Sequence, residues 1–352
     1  MSGASELHRP TWAEVDTSAF SRNIDAVLRL LPSRSRLIAV LKANAYGHGA
    51  IELARLCDPQ RVAMIAVALL EEAIALRRAG ITLPILVFGP LDELGVITAI
   101  DNDITPGVPG LEELEIACAV ARDRDVHIHL KLDSGMGRMG VVESELRRAR
   151  ELIDATPRLH VDAIYTHFAN ADEDETFTHE QVWRFDEMRR VIDAPLHHLA
   201  NSAATLRGIV REGEFVRCGI ALFTIEPVLR WRTEIMRLKI LPKNHAIGYG
   251  TTFHTSRESR IATIPVGYAD GYSRKLSNNA EVMLRGVRAP VVGRVSMDLV
   301  TIDVTDIPNA QLGDEVILLG DGIKADELAS RTDTISYEVL CRISPRVPRI
   351  YR

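Results

Sequence analysis

Short apolar runs alternate with amphipathic stretches from residue 36 to about residue 220. The runs are typical of buried parallel strands, and the stretches between them repeat apolar positions at helical spacing. The predicted strands are Leu37–Lys42, Ala63–Val67, Ile85–Phe88, Ile104–Thr105, Val126–Leu132, Leu159–Tyr165, His197–Leu199 and Phe215–Cys218. The predicted helices include Leu69–Ala79, Leu111–Ala121, Glu143–Ile153 and Thr178–Val191. Eight strand–helix units predict an α/β fold, a (β/α)8 barrel of the TIM type.

Beyond about residue 230 the pattern changes to period-2 alternation, as in the segment L-V-T-I-D-V, with glycine, proline and asparagine turns. The strands predicted here are Ile261–Val266, Glu281–Leu284, Ala289–Gly293, Leu299–Val304 and Glu315–Leu319. The change predicts a mainly β C-terminal domain. We therefore expect a barrel domain over residues 12–235 and a β domain over residues 236–352, with residues 1–11 associated with the β domain.

Composition and charge narrow the class of protein. Hydrophobic residues make up 46% and charged residues 26% of the 352, which excludes a disordered or fibrous chain. A net charge of −6 without a long run of one sign argues against nucleic-acid or anionic-membrane binding. No apolar stretch is long enough to span a membrane or to act as a signal peptide. Cysteines far apart without a C-x-x-C pair, and histidines without metal-ligand spacing, predict a cytoplasmic protein without a metal site.

Lysine is rare in this chain, with only six among the 42 basic residues. One of them, Lys42, ends a predicted barrel strand in the segment LIAVLKANAYGHG. The carboxyl ends of barrel strands carry the chemistry of such enzymes, and partial burial there lowers the pKa of an amine towards a reactive value. Lys42 is therefore a candidate nucleophile. The alternative interpretation is that Lys42 has no catalytic role and simply extends from the strand end into solvent.

The segment HIHLKLDSGMGRMG contains three glycines at the spacing G-x-G-x-x-G, namely Gly135, Gly137 and Gly140. This spacing occurs in dinucleotide-binding loops, which also need an acidic residue after the next strand. The next predicted strand continues into Thr166 and His167 instead. Arg138 lies inside the glycine loop, and a guanidinium there is better suited to an anionic group.

Three further strand ends of the predicted barrel add candidate residues: His167, Ser202, and Arg217 with Gly219 and Ile220. The last two strands of a barrel commonly bind phosphate through backbone N–H groups. Each residue has an ordinary alternative, since Ser202 could cap a helix, His167 could be a core histidine, and Arg217 could form an ion pair. Their location on one face of the barrel favours a shared site.

The sequence resembles that of a known family, alanine racemase, over nearly its full length. The matching segments are TWAEVDTSAFSRN, AVLKANAYGHG, HLKLDSGMGRMG, THFANAD, HLANSA, VRCGIAL, IPVGYADGYSR, VVGRVSMD and CRISPRVPRIY. The resemblance implies a pyridoxal 5'-phosphate enzyme with a barrel and a β domain, paired head-to-tail as a homodimer. It also implies interconversion of L- and D-alanine, which supplies D-alanine for peptidoglycan.

The resemblance also implies roles for single residues. Lys42 would hold the cofactor covalently, and Tyr268 would be the second catalytic base. The cofactor phosphate would be held by Tyr46, Ser202, Tyr351 and the backbone of Gly219 and Ile220. Arg217 would face the pyridine nitrogen with His167 beside it, and Arg138 would contact the substrate carboxylate together with the backbone of Met297 from the partner subunit. The supporting positions would be Lys131, which can be carbamylated in the family, Asp172, His198, Arg294 and Asp298.

The chain departs from the family pattern at Phe223-Thr224, where Tyr-Gly is usual, and at Ser296, where cysteine is common. The second departure leaves a broader amino-acid racemase, acting on serine for example, as an alternative. A non-catalytic pyridoxal-phosphate carrier is disfavoured because the β-domain segments also match. An amino-acid decarboxylase is disfavoured because arginine and not an acid stands in VRCGI, and a nicotinamide enzyme has only the glycine spacing in its favour.

Overall fold

The computed structural model describes residues 8–352. In chain order the strands are β1 (Thr11–Val15), β2 (Arg36–Val40), β3 (Val62–Val67), β4 (Ile85–Val87), β5 (Ile104–Val108), β6 (Val126–Lys131), β7 (Leu159–Tyr165), β8 (Leu196–His198), β9 (Phe215–Cys218), β10 (Leu229–Glu234), β11 (Arg237–Leu241), β12 (Ala246–Ile247), β13 (Phe253–His254), β14 (Ser259–Ile264), β15 (Glu281–Leu284), β16 (Val287–Pro290), β17 (Val300–Asp303), β18 (Glu315–Leu319) and β19 (Arg349–Tyr351).

The helical segments are α1 (Thr17–Leu30), α2 (Lys42–Tyr46), α3 (Ala50–Ala54), α4 (Leu70–Arg78), α5 (Glu93–Asp101), α6 (Leu111–Val120), α7 (Leu146–Asp154), α8 (Glu175–Arg189), α9 (Ser202–Leu206), α10 (Ala221–Thr224), α11 (Ala325–Thr332) and α12 (Ser336–Cys341). The chain divides into two units. The barrel unit consists of Phe20–Ala45 and Ala50–Glu226, and the β unit consists of the chain up to Ala19, Tyr46–Gly49 and Pro227–Arg352.

Strands β2 to β9 form one sheet of eight parallel strands in the order β8-β7-β6-β5-β4-β3-β2-β9, which is a nearly closed barrel. The prediction of a (β/α)8 barrel followed by a mainly β domain is confirmed.

β5 extends beyond its predicted end at Thr105 through Pro106 to Val108. Gly107 permits this, because a Cβ there would lie 2.4 Å from the carbonyl oxygen of Val87 on the neighbouring strand.

The two outer strands of the barrel sheet, β8 and β9, meet at a seam. Within residues 8–352 no backbone ladder joins them. A backbone hydrogen bond of 2.9 Å runs from the Arg217 N–H to the Ala200 carbonyl. The side chains of Glu214 and Arg217 supply further bonds across the seam, from positions immediately before β9 and within it. Side chains thus replace part of a strand ladder here.

The β unit contains a six-stranded sheet in the order β16-β15-β18-β10-β1-β19, together with a three-stranded sheet β11-β14-β17. β1 lies between β10 and β19, so strands from both ends of the chain meet there. Side chains of β10 alternate between buried and half-buried, and its Trp231 packs edge-on against Tyr272 with ring centroids 5.9 Å apart. Across the described part of the chain, no helix has the length and apolar character needed to cross a membrane.

Candidate active site

Lys42 follows the carboxyl end of β2, in a turn with unusual backbone geometry. The four residues after it, Ala43 to Tyr46, all have φ between 52° and 54°, the left-handed region. Hydrogen bonds hold the turn, among them those from Ala43 N–H to the Glu72 carboxylate at 2.6 Å and from Ala50 N–H to Asn44 Oδ1 at 2.9 Å. The predicted strand Leu37–Lys42 therefore ends at Val40, and Lys42 lies on the rim of the barrel.

Arg217 is a buried cation of the barrel unit, with 4% of its surface exposed. Its Nη2 donates to the carbonyl oxygens of Thr166, at 2.6 Å, and Leu199, at 3.1 Å. Its Nη1 contacts the carbonyl oxygen and Nδ1 of His198, the latter at 2.9 Å. Burial lowers the pKa of Arg217 to about 10, so the guanidinium remains charged at neutral pH. Arg217 is therefore fixed between the carboxyl ends of β7 and β8.

A chain of histidines continues from this guanidinium into the barrel. Because Arg217 can only donate, His198 Nδ1 accepts, so the proton of the His198 ring is on Nε2. That Nε2 lies 3.0 Å from His129 Nδ1, which therefore accepts in turn. Burial lowers the pKa of His129 to about 4, and burial next to Arg217 lowers the pKa of His198. Both rings are consequently neutral and have one defined tautomer.

His167 lies on the other side of Arg217, with its Nδ1 3.3 Å from Nη2. Burial, followed by the charges of Arg217 and Lys131, lowers the pKa of His167 to about 3. The ring is therefore neutral, accepts from Arg217 at Nδ1 and carries its proton on Nε2. Gln181 fixes the backbone at this position by donating to the His167 carbonyl at 3.1 Å.

Lys131 and Arg138 bring further positive charge to the same rim. Lys131 is buried at the end of β6, and its pKa falls to about 8 because of burial and because of the charges of Arg138 and Arg217. Arg138 is exposed on the glycine loop. The carboxylate of Asp133 accepts from the N–H groups of Gly135 and Gly137, each at 2.9 Å. Since those amides are bound to a protein anion, the loop does not offer them to a dinucleotide pyrophosphate.

Ser202 is the first residue of α9, and its hydroxyl oxygen accepts from the N–H groups of Gly219 at 3.0 Å and Ala221 at 3.3 Å. The helix cap is Asn201, whose side chain accepts from Ala204 N–H at 3.0 Å. Ser202 is therefore not the N-terminal cap of this helix, the alternative role that the sequence left open. The Ser202 hydroxyl and the amides after β9, including that of Ile220, form one group of polar atoms at the strand ends.

The β unit carries Tyr268 on a short 3-10 turn, Tyr268–Asp270, with 42% of the residue exposed. Tyr268 N–H donates to the Ser296 carbonyl at 3.0 Å, and Ala269 N–H donates to the Met297 carbonyl at 3.1 Å. The buried carboxylate of Asp270 accepts from Arg9 at 2.7 Å and from Gly267 N–H at 3.0 Å. The structure therefore brings the Tyr268 turn and the backbone of Met297 together.

The remaining predicted residues of the β unit contact different partners. The Tyr351 hydroxyl packs against Gly49, where a Cβ would lie 1.8 Å from it, and the Tyr46 ring lies 6.0 Å from that of Tyr337. Asp298 binds Arg346 at 2.7 Å, and exposed Arg294 packs its guanidinium against Gly250. In the barrel unit, Asp172 is exposed before α8, and no described contact of residues 8–352 joins it to Arg217 or Lys131.

Three residues of this network do not appear among the residues predicted from the sequence. His129 extends the histidine chain, Tyr165 lies under the Arg217 guanidinium at 5.4 Å and stacks on His198, and Glu214 crosses the seam. A signal exists only for His129, because the alternation in H-I-H-L-K places it on the same side of β6 as Lys131. Tyr165 and Glu214 have no such pattern.

Sequence profiles of known families cover almost the whole chain. The profile of the alanine racemase N-terminal domain matches residues 15–227, and that of the alanine racemase C-terminal domain matches residues 228–351. The chain belongs to the alanine racemase family. The alanine racemase of Sorangium cellulosum is 43% identical over 98% of this chain and 99% of that protein.

Solved structures agree with this membership. The crystal structure of alanine racemase from Bacillus anthracis with bound L-Ala-P superposes with a TM-score of 0.91 at 37% identity, over 98% of this chain and 96% of that one. The alanine racemase of Bartonella henselae with covalently bound pyridoxal phosphate has a TM-score of 0.91 at 25% identity, over 97% of this chain and 99% of that one. The family is pyridoxal-phosphate dependent, and its members are isomerases that act on alanine.

The barrel unit has the donor set that this cofactor needs. Four adjacent strand ends, in the order β7, β8, β9 and β2, carry His167, Ser202, Arg217 and Lys42. They offer an amine for an aldehyde, a donor-only cation for a ring nitrogen, and a hydroxyl with neighbouring amides for a phosphate.

One departure from the family pattern, Phe223, is buried and stacks on Phe20 with ring centroids 5.7 Å apart, so its side chain is part of the core of the barrel unit.

Proposed function

We propose that Lys42 and Tyr268 are the two catalytic bases with which this member of the alanine racemase family interconverts L- and D-alanine. The observation that carries this proposal is the row of strand ends that places Lys42 beside the Arg217 network. When bound, pyridoxal phosphate withdraws electrons from the α-carbon and so acidifies its proton. Racemisation then requires one group that takes this proton from one face and another that returns a proton to the opposite face.

We propose that Lys42 holds the cofactor, and that its amine exchanges the proton on one face while the Tyr268 phenol serves the other. Arg138 binds the substrate carboxylate, since its guanidinium is exposed beside the positive charge of Lys131. The phosphate is held by Ser202 with Gly219 and Ile220, and by Tyr46 and Tyr351. The carbamylation of Lys131 that the family resemblance implies is consistent with the lowered pKa of its amine.

Arg217 determines the protonation of the cofactor ring. A guanidinium whose pKa is about 10 donates a hydrogen bond and does not give up its proton at neutral pH. Neutral His198 and His167 accept from the same guanidinium and have lowered pKa values, so neither supplies a proton to the ring nitrogen. Arg217 and the two histidines would therefore leave a bound ring nitrogen without a proton donor, and an unprotonated ring would withdraw electrons less strongly and disfavour transamination.

We propose a head-to-tail homodimer in which Tyr268 and Met297 of one chain complete the site of the other. The proposal is supported by the exposure of both side chains and by the hydrogen bonds that hold their backbones together. In such a dimer each site combines Lys42 of one subunit with the partner subunit's Tyr268.

Subunit mixing tests both proposals. Lys42→Ala and Tyr268→Phe homodimers should each be nearly inactive in the circular-dichroism decay of L-alanine. After dissociation and re-association of an equal mixture, about half of the dimers are mixed and each contains one intact site, so about a quarter of all sites should regain activity. If Tyr268 serves its own chain, no site is intact and no activity returns.

A second mixture gives a control with the opposite dependence. Here the parent is mixed with the double variant Lys42→Ala/Tyr268→Phe. Shared sites leave only parent homodimers active, which is about a quarter of all sites, whereas unshared sites leave about half active. A tag on one chain, followed by co-purification, confirms the exchange of subunits. If parent homodimers do not racemise alanine, the proposed function itself is wrong.

A further inference from the structure

Glu214 is a buried carboxylate at the seam between β8 and β9, with 5% of its surface exposed. Its Oε1 accepts from the N–H groups of Leu199, at 2.5 Å, and Ala200, at 2.8 Å. Its Oε2 accepts from Arg211 N–H at 3.1 Å. Three backbone donors thus converge on one carboxylate, which is how a buried anion is stabilised without a salt bridge.

Leu199 and Ala200 are the residues that link β8 to Asn201 and Ser202. Their two N–H groups donate to Glu214, the Leu199 carbonyl accepts from Arg217 Nη2 at 3.1 Å, and the Ala200 carbonyl accepts from Arg217 N–H at 2.9 Å. All four backbone groups of the link are therefore satisfied by Glu214 and Arg217. Buried backbone groups need such partners, so these two residues fix the course of the link.

The charge of Glu214 acts on Arg217 as well. Three nearby groups would favour the charged guanidinium in their ionised forms, in the order Tyr165, Glu214 and Cys218. Burial raises the pKa of the Tyr165 phenol, and burial raises the pKa of the Cys218 thiol to about 11, so both are neutral at pH 7. The carboxylate is thus the anion of this set.

We propose that Glu214 is a positioning residue, which aims the Arg217 guanidinium at the cofactor ring and holds Ser202 for the cofactor phosphate. This inference rests on the proposed function, because it takes Arg217 and Ser202 as cofactor-binding residues. Glu214 touches neither substrate nor cofactor. It acts through the Leu199–Ala200 link and through the charge balance of the seam.

Glu214→Gln tests the proposal, because it keeps the shape of the side chain but removes the charge and replaces one acceptor by a donor. Two properties of the holoenzyme are measured: the rate at which cofactor absorbance is lost from the protein on dilution, and the ratio of transamination to racemisation with L-alanine. We expect both to rise at least about tenfold, since a displaced Arg217 no longer keeps the ring nitrogen unprotonated. Glu212→Gln, two residues away and exposed, is the matched control and should leave both unchanged.

If Glu214 had only a structural role, Glu214→Gln would unfold at a lower temperature, but its ratio of transamination to racemisation would equal that of Glu212→Gln. This result would overturn the proposal. If Glu214→Gln does not fold, Glu214→Asp replaces it, with the carboxylate kept but withdrawn by one methylene. We then expect faster cofactor release and a smaller change in the ratio, and two parent-like values overturn the proposal. Cofactor release does not depend on racemisation, so failure of the proposed function remains distinguishable.

Discussion

Gly267 lies where two backbone segments of the β unit approach each other. A Cβ at this position would lie 2.2 Å from the Met297 carbonyl oxygen and 2.4 Å from that of Ser296. The φ of Gly267 is −157°, an extended value that any residue adopts, so the requirement is for space and not for an unusual dihedral angle. The missing side chain lets Tyr268 and Ala269 donate to the facing carbonyls.

Gly267→Ala should therefore lower the free energy of unfolding by about 1–3 kcal/mol through overpacking against rigid backbone. The rate of catalytic turnover should also fall at least about tenfold, because displacement of Tyr268 misplaces the second base. Denaturant unfolding and racemisation of L-alanine measure the two effects. The control is Gly110→Ala, where φ is −172° and the nearest atom, at 2.8 Å, belongs to the flexible Glu113 side chain. Equal behaviour of the two variants would contradict the argument from space.

The buried histidines make the barrel unit sensitive to acid. The folded pKa of His129 is about 4, below the ordinary value of 6.5 that the unfolded chain has. Between these values only the unfolded chain binds the proton, so the stabilisation is complete above pH 6.5 and is lost as the pH falls towards 4. We expect His129 alone to remove about 2 kcal/mol of stability between pH 7 and about pH 5.

His129→Gln keeps an acceptor for His198 Nε2 but cannot be protonated. Its free energy of unfolding should fall less between pH 7 and about pH 5 than that of the parent, by about 2 kcal/mol. Urea unfolding at both pH values measures this difference. His179→Gln, on the exposed side of α8, controls for the loss of one histidine. The same decline in His129→Gln and in the parent would rule out His129 as the source.

For single residues, the sequence allowed prediction of positions at or just after the carboxyl ends of strands, such as Lys42, His167 and Arg217. Their positions follow from a general property of barrels, in which strand ends form one rim. Glu214 precedes a strand, and its partners are backbone N–H groups of a different strand end, which no spacing of side chains along the chain reveals. A prediction of its role requires the seam between β8 and β9.

The segment from Ala43 to Tyr46 is an element with the opposite hand to the ordinary helix. Each L-residue in this conformation carries a penalty of about 1–2 kcal/mol because its Cβ approaches the following carbonyl oxygen. Asn44 is suited to the conformation, whereas Ala43 and Ala45 are not. The contacts of Glu72 and Asn44 hold the turn in spite of that penalty.

Ala43→Gly should raise the free energy of unfolding by about 0.5–1 kcal/mol, because glycine has no Cβ to strain at φ 52°. Ala43→Val should lower it by about 1 kcal/mol or more, since a β-branched residue is least tolerated there. Ala155, at the C-terminal end of α7, is also exposed but has φ −82°, so Ala155→Gly should give no gain and a small loss of stability, up to about 0.5 kcal/mol. Chemical denaturation of the three variants checks the signs, and a loss of stability in Ala43→Gly would contradict the assigned strain.

Elements with strong local patterns were predicted closely, and elements made by distant pairing were not. Leu159–Tyr165 and Phe215–Cys218 are observed with the predicted bounds. β1, β10 and β19 were not predicted, although Leu229–Glu234 alternates as a strand should. β1 pairs with β10 and with β19, which are both far away in the sequence, and such pairing has no local signature.

The β unit is held together by contacts between residues that are far apart in the sequence. The buried Thr11 hydroxyl lies 2.8 Å from that of Thr233 and 2.8 Å from the Pro265 carbonyl oxygen. Thr11 and Thr233 face each other on β1 and β10. Such contacts form late and slowly, because a long loop must close before they are made.

Thr11→Val should lower the free energy of unfolding by about 1–3 kcal/mol, since it leaves the buried Pro265 carbonyl without its hydroxyl donor, whereas the Thr233 hydroxyl still donates to the Pro10 carbonyl. Thr17→Val removes a comparable bond, of 2.5 Å to the Arg352 carbonyl, at a partly exposed position where water replaces it, so a smaller effect is expected. Equilibrium urea unfolding compares the two. An equal or larger effect of Thr17→Val would show that burial does not set the cost.

The β unit is made of separate stretches of the chain, and this restricts how the protein can be recombined with its relatives. The unit draws on three stretches of sequence, the chain up to Ala19, Tyr46–Gly49 and Pro227–Arg352, so the chain passes between the units four times. A chimaera joined at a single crossover near Pro227 would combine β10 and β19 of one parent with the β1 of the other. Exchange of the unit as a functional cassette therefore requires all three stretches to be inherited together.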